Sequence, residues 1–123
     1  MKYLSVVFAF VVLSMVTVMS AVAQDPVKVA PQAFKEKLNN DKVRVLEYTS
    51  KPGAKEAFHS HREMLLYVIQ GGKFKSTTAD GVSKIIDYKT GDVFWREAVS
   101  HSGENVGSTV LKTLLIEVKG TQK

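Results

Sequence analysis

An all-β domain, a small antiparallel sandwich or barrel carrying one short helix near its start, is what the sequence predicts, and three observations predict it. Val43, Val45, Glu47 and Thr49 alternate with Arg44, Leu46 and Tyr48, a period of two that puts the two sets on opposite faces of a pleated strand. Turn chemistry recurs at Lys51-Pro52-Gly53, Gly71-Gly72, Asp80-Gly81, Thr90-Gly91-Asp92 and Asn105-Val106-Gly107, at the spacing of about 8 to 12 residues that separates short strands. The length, 123 residues with 45% hydrophobic, suits one ordinary domain and no second.

The elements follow in order. Met1-Lys2, an apolar tract around Val6 to Val18 and the exit Ser20-Ala21-Val22-Ala23 match the three parts of a secretory signal, so residues 1–23 are expected to be removed by cleavage after Ala23. The other reading of this stretch is an uncleaved anchor, since about 20 residues can span a bilayer. Cleavage predicts a soluble exported protein, most simply in a bacterial periplasm, with no membrane contact afterwards. Residues 24–42 form an N-terminal segment in which Pro31 to Leu38 (PQAFKEKL) predicts a two-turn helix stopping at Asn39-Asn40.

From 43 to 119 the chain reads as the barrel domain. After Val43–Thr49 come the apolar run Leu65–Gln70, the alternating Lys73-Phe74-Lys75, Ile85–Tyr88 behind Asp80-Gly81, Val93-Phe94-Trp95 behind Gly91-Asp92, and Val110–Val118. Six or more such strands argue a closed or nearly closed β architecture.

Composition removes several function classes. With no cysteine there is no disulfide scaffold, thiol nucleophile or iron–sulfur cluster, and a metal site must use His, Asp, Glu or similar ligands. The net charge of +5 is dispersed, without the Lys/Arg blocks of a nucleic-acid arm, so no nucleic-acid partner is expected. Neither a phosphate-cradling glycine loop nor a serine-nucleophile signature is present.

The histidines are the sharpest signal. Of three, two stand as His59-Ser60-His61, and residues two apart on a strand project to one side, where they form half of a chelate. His101 follows a separate strand, and an all-β barrel can bring it opposite the pair. Three neutral imidazoles suit zinc, iron, copper or nickel and leave coordination positions open.

These residues carry a family resemblance. Gly53, His59-Ser60-His61 and Leu66-Tyr67-Val68-Ile69-Gln70-Gly71 resemble the first cupin motif; Gly91-Asp92-Val93-Phe94-Trp95, His101 and Asn105 are similar to the second. The resemblance covers roughly residues 43 to 118 and implies a jelly-roll barrel. The sequence departs from the pattern in three places. The first motif's Glu is replaced by Met64 or Leu65, leaving Glu63 as the nearest carboxylate; Glu97 and Val99 stand where Pro and Gly are usual; and the second-motif His arrives one residue early.

The resemblance implies one divalent transition metal on His59, His61 and His101, with Glu63 as the candidate fourth ligand and iron, manganese, zinc, nickel and copper not distinguished. Arg62 and Arg96 are candidates to clamp a small polar or anionic ligand, because a guanidinium pairs bidentately with a carboxylate. Tyr67 and Trp95 are further candidate pocket residues, and Asn105 is expected to cap a turn. Three readings stay open: a metal-dependent binding module, a metalloenzyme of dioxygenase kind ahead of isomerase or lyase chemistry, and a barrel without metal that serves as a plain ligand-binding or structural module. Pairing of two copies through edge strands is consistent with the family.

Overall fold

The computed structural model describes residues 24–120, so the predicted signal segment lies outside the described residues. Asp25 caps the short helix α1 (Pro26–Val29), its Oδ1 accepting from the Val27 amide at 2.9 Å while Pro26 supplies the fixed φ of a first turn. The helix predicted over Pro31–Leu38 does not form. Residues 31–33 make a turn, and Phe34–Asn39 is strand β1, paired antiparallel with β2 (Val43–Ser50) so that Phe34 stands opposite Tyr48.

Tertiary pairing explains the reversal. Phe34 alone is buried on β1, and its ring lies 4.9, 5.1 and 5.6 Å from the rings of Tyr48, His59 and His61. Burying one large aromatic contributes about 1.5–3 kcal/mol, more than the few tenths per residue that separate ordinary helix propensities. The exposed Lys35 and Lys37 then guard what is the edge of a sheet.

Seven strands follow: β3 (Lys55–His61), β4 (Met64–Gln70), β5 (Gly72–Thr78), β6 (Ser83–Tyr88), β7 (Val93–Arg96), β8 (Val99–Asn105) and β9 (Leu111–Val118). They form two antiparallel sheets, β1-β2-β9-β4-β7 and β3-β8-β5-β6, the small antiparallel sandwich expected from the strand spacing and the jelly roll implied by the motif resemblance. Gly81 turns the β5–β6 hairpin at φ 82°, a conformation that costs glycine nothing.

Strand parity divides the apolar residues between inside and outside. Leu46, Tyr48, Met64, Leu66, Val68, Phe74, Leu111 and Leu115 are buried in the core. Leu65, Tyr67, Val93 and Trp95 lie on the opposite face of the five-stranded sheet and are exposed, with Leu65 opposite Trp95 and Tyr67 opposite Val93 in the β4–β7 register.

Candidate metal centre

Strands β3 and β8 build the centre. Their register sets His59 directly opposite His101, and His61 follows two residues along β3 on the same face. The three rings pack edge to face, with centroids 4.8 Å apart for His59–His61, 4.9 Å for His59–His101 and 5.6 Å for His61–His101. All three are buried, and one nitrogen from each lies within 4.8 Å of the others.

A break in the β3–β8 register between Glu56 and His59 fixes what faces inward. Regular alternation would send Glu56 and His59, three positions apart, to opposite sides; the irregularity turns both into the barrel, where both are buried. At the irregularity the Ala57 carbonyl accepts a hydrogen bond from His59 Nδ1 at 2.6 Å.

The other two imidazoles are held the same way. His61 Nδ1 donates to Glu117 Oε2 at 3.1 Å, and His101 Nδ1 exchanges a hydrogen bond with Ser76 Oγ at 2.6 Å. A carbonyl and a carboxylate only accept, so His59 and His61 carry their proton on Nδ1 and present the Nε2 lone pair. His59 Nε2 is buried with no hydrogen-bond partner, a costly vacancy for a polar atom unless an electron-pair acceptor fills it.

Burial also keeps His59 and His101 neutral. Desolvation, then the neighbouring His61, pushes His59 down to about 4 despite the Ala57 hydrogen bond; desolvation, then His61, His59 and Arg96, pushes His101 down to about 3. Three imidazoles with Nε2 left free, each oriented from behind, are the donor set a transition metal needs, and the residues fit such an ion.

The predicted site residues sort clearly. His59, His61 and His101 converge. Glu63 does not join them: it lies exposed in the turn between β3 and β4, its carbonyl accepting from the Val118 amide at 3.0 Å. Arg62, beside it, is exposed and outside the cavity. Tyr67 and Trp95 are 43% and 52% exposed on the outer sheet face, so neither touches the pocket. Arg96 does line it, half-buried, with Nη2 donating to Tyr88 Oη at 2.8 Å.

Asn105 ties loops together, as a turn cap should. Its Nδ2 donates to the Ser50 and Thr109 carbonyls at 2.8 and 2.9 Å, and its Oδ1 accepts from Gly107 N at 3.0 Å.

Glu117, Ser76 and Glu56 were not singled out from the sequence. Glu117 had a usable signal, because it shares parity with the inward Leu111, Thr113 and Leu115 on β9. Beyond the histidines the barrel holds an open cavity of about 410 Å³ walled by Met64, Leu66, Phe74, Ile86 and Leu115, with Arg96, Lys84, Glu56, Asp80 and Glu97 as its ionisable groups besides the histidines.

Solved structures share this architecture. A cupin domain from Bordetella pertussis Tohama I is 25% identical, with 71% of this chain and 92% of that chain covered at a TM-score of 0.65. An RmlC-like cupin family protein with a double-stranded β-helix fold from Methanocaldococcus jannaschii is 17% identical over 69% and 77% of the two chains, TM-score 0.56. A cupin superfamily protein from Desulfitobacterium hafniense DCB-2 is 20% identical over 71% and 76%, TM-score 0.53. A scan of family models and a search of curated proteins found no match to the chain. The fold is that of the cupins. Within it, His59, His61 and His101 are positioned to bind a metal.

Proposed function

We propose that this protein is an exported cupin that holds one divalent transition metal on His59, His61 and His101 and uses it, with Arg96, to bind a small anionic ligand inside the barrel. One observation carries the reading. Nδ1 of each of the three buried imidazoles is engaged by a partner of its own, the Ala57 carbonyl, Glu117 or Ser76, which leaves Nε2 of each for a shared ion. The reading of a barrel without metal has no use for the orphaned His59 Nε2.

A bound ion would supply Lewis acidity and open coordination positions, since three neutral ligands leave its double charge uncompensated. The chain's own residues do the rest. Arg96 has four of its five N–H donors beyond the one given to Tyr88 and faces the cavity, where it can pair with a ligand carboxylate. Met64, Leu66, Phe74 and Leu115 give the same pocket an apolar wall, and a pair formed against such a wall is stronger than one in open water. The same open coordination suits a dioxygenase-like enzyme, and oxygen uptake by iron-loaded protein with small thiols and diols separates catalyst from binder.

Export rests on the Met1–Ala23 pattern alone, with the periplasm as the proposed address. The exposed Leu65, Tyr67, Val93 and Trp95 support a homodimer through this sheet face rather than through edge strands, which light scattering tests. For the metal, elemental analysis of untagged protein is expected to find about one transition-metal ion per chain, and His61→Ala or His101→Ala to release most of it. Full retention in both variants defeats the site.

A further inference from the structure

Across the cavity from the sheet that carries the histidine pair, β2 and β9 present Tyr48 and Thr113, register partners on the inner face of the five-stranded sheet, with Ser50 two positions further along β2. Glu56 reaches toward them from β3. All four are buried, and none of Tyr48 Oη, Ser50 Oγ, Glu56 Oε2 and Thr113 Oγ1 makes a hydrogen bond of good geometry, although the Ser50 and Tyr48 hydroxyls lie near enough to the Glu56 carboxyl to act on its pKa. Natural cores carry few such atoms, because each costs about 1–3 kcal/mol. Four in one place, from both sheets, form a cluster that the metal-centre reading does not use.

The backbone makes room for it. Gly103 pairs with Glu56 across β3–β8, and a Cβ at Gly103 would stand 2.7 Å from Glu56 Oε2 and 2.7 Å from Phe74 Cε2. Glycine here lets the carboxyl and the Phe74 ring lie over β8. Tyr48, Glu56 and Thr113 line the same cavity as Arg96 and the histidines. Phe74 stands between these groups, its ring 6.0 Å from Tyr48, 6.2 Å from Tyr88 and 5.8 Å from His101. One pocket thus brings together the Arg96 guanidinium, an aromatic waist and a floor of hydroxyls and one carboxyl.

We propose that Glu56, Tyr48 and Thr113 form a second subsite that receives a hydroxyl group of the ligand, selecting hydroxylated small carboxylates, aromatic or of similar breadth, over their unhydroxylated analogues. The subsite deepens the anionic-ligand reading above and rests on it. Its chemistry decides the ligand class. Three wall groups are hydroxyls or a carboxyl, able to give and take hydrogen bonds, and none is an N–H cation; a ligand hydroxyl can donate to Glu56 and accept from Tyr48 or Thr113. Burial holds the Glu56 carboxyl above its usual range, even though the nearby Ser50 and Tyr48 hydroxyls draw it down. A second carboxylate would therefore meet no counter-charge here, and an ammonium would need Glu56 ionised among aromatic rings.

The test uses the full chain with one equivalent of zinc, titrated by calorimetry with benzoate and 4-hydroxybenzoate, and by amide NMR with phenol. 4-Hydroxybenzoate is expected to bind about five- to tenfold more tightly than benzoate, as one added buried hydrogen bond allows. Glu56→Met and Tyr48→Phe are expected to cut that ratio to near one while benzoate binding persists; two chemically different variants guard against one misfolding. Equal affinity for the two acids in the unaltered protein, or a ratio that survives both substitutions, overturns the subsite. Phenol shifting the Gly103 and Thr113 amides, with neither acid bound, keeps the subsite and removes the anionic-ligand reading instead. Binding of none of the three probes overturns both.

Discussion

Glu117 Oε2 lies 3.1 Å from His61 Nδ1, and both side chains are buried. The carboxylate comes from the last strand and the imidazole from the third, with 56 residues between them in the chain, so the pairing exists only once β9 has docked between β2 and β4. Glu117 does more than fill space. It fixes which nitrogen of His61 carries the proton and holds the ring in one orientation, as a carboxylate behind a metal-ligating histidine does.

Removing that support should weaken metal binding without removing a ligand. Glu117→Gln keeps an acceptor but loses the charge, and a tenfold lower affinity for zinc or cobalt is expected, with Glu117→Ala nearer a hundredfold. Competition with a chromophoric chelator measures both. Glu63→Gln is the control: its carboxylate is exposed in the β3–β4 turn, and unchanged affinity is expected there.

Arg44 stands behind Glu117. Its guanidinium bridges Asp25 at 3.1 Å and Glu36 at 2.7 Å and approaches Glu117 Oε1 at 3.9 Å. It therefore joins the helix cap, the edge strand and the carboxylate that orients His61. Arg44→Met leaves the buried Glu117 carboxylate without its Arg neighbour, and the expected loss is about 1–3 kcal/mol of unfolding free energy, less than for a fully buried pair because Arg44, Asp25 and Glu36 are partly solvated. Urea unfolding of the metal-free protein reads that loss. A fall in metal affinity alongside it would show the network acting on His61.

How far the sequence reaches can be judged from individual residues. His59 and His61 were legible because a spacing of two has one meaning on a strand, and His101 because the motif resemblance joined it to them. The β period carried the strands at Val43–Thr49 and Ile85–Tyr88, but Pro31–Leu38 has helix formers and no local sign that Phe34 would be claimed by Tyr48 and two histidines. Trp95 and Phe94 could not be assigned faces until the register fixed Trp95 opposite the outward Leu65. Glu56 was hidden for a different reason: its parity with His59 is wrong, and only an irregularity absent from any local pattern turns it inward.

The depressed histidines make the metal-free fold acid-sensitive in a defined window. Unfolded imidazoles take up protons near 6.5, whereas folded His59 and His101 do so only near 4 and 3. Between those values the unfolded chain binds more protons, so stability falls as pH drops through 6.5 toward 4. Glu56 opposes this above 4.5, since its folded pKa is raised, and a Glu56→Gln background removes that contribution. Urea midpoints of chelator-treated protein at pH 7.5 and pH 5 are expected to differ by a few kcal/mol equivalent in favour of the higher pH. Metal should flatten the curve, because bound imidazoles no longer accept protons until the ion leaves.

Gly103 on β8 links the fold to the chemistry through Glu56 and Phe74. A methyl group there would sit 2.7 Å from both the Glu56 carboxyl and the Phe74 ring, well inside van der Waals contact, so one of them must move. Glu56 is flanked by Tyr48 and Ser50, and Phe74 by Tyr48, Tyr88 and His101, so either side chain can yield only by pressing on these neighbours or by moving into the cavity that both border. Overpacking of this kind costs about 1–3 kcal/mol. The gain in strand propensity from replacing glycine is smaller than that, so Gly103→Ala is expected to be net destabilising. The displaced Phe74 ring bears on His101, so the variant should also bind metal less tightly, with a changed cobalt absorption spectrum. A stable Gly103→Ala protein with an unaltered spectrum would mean that β8 yields at this point, and that the glycine does not set the position of His101.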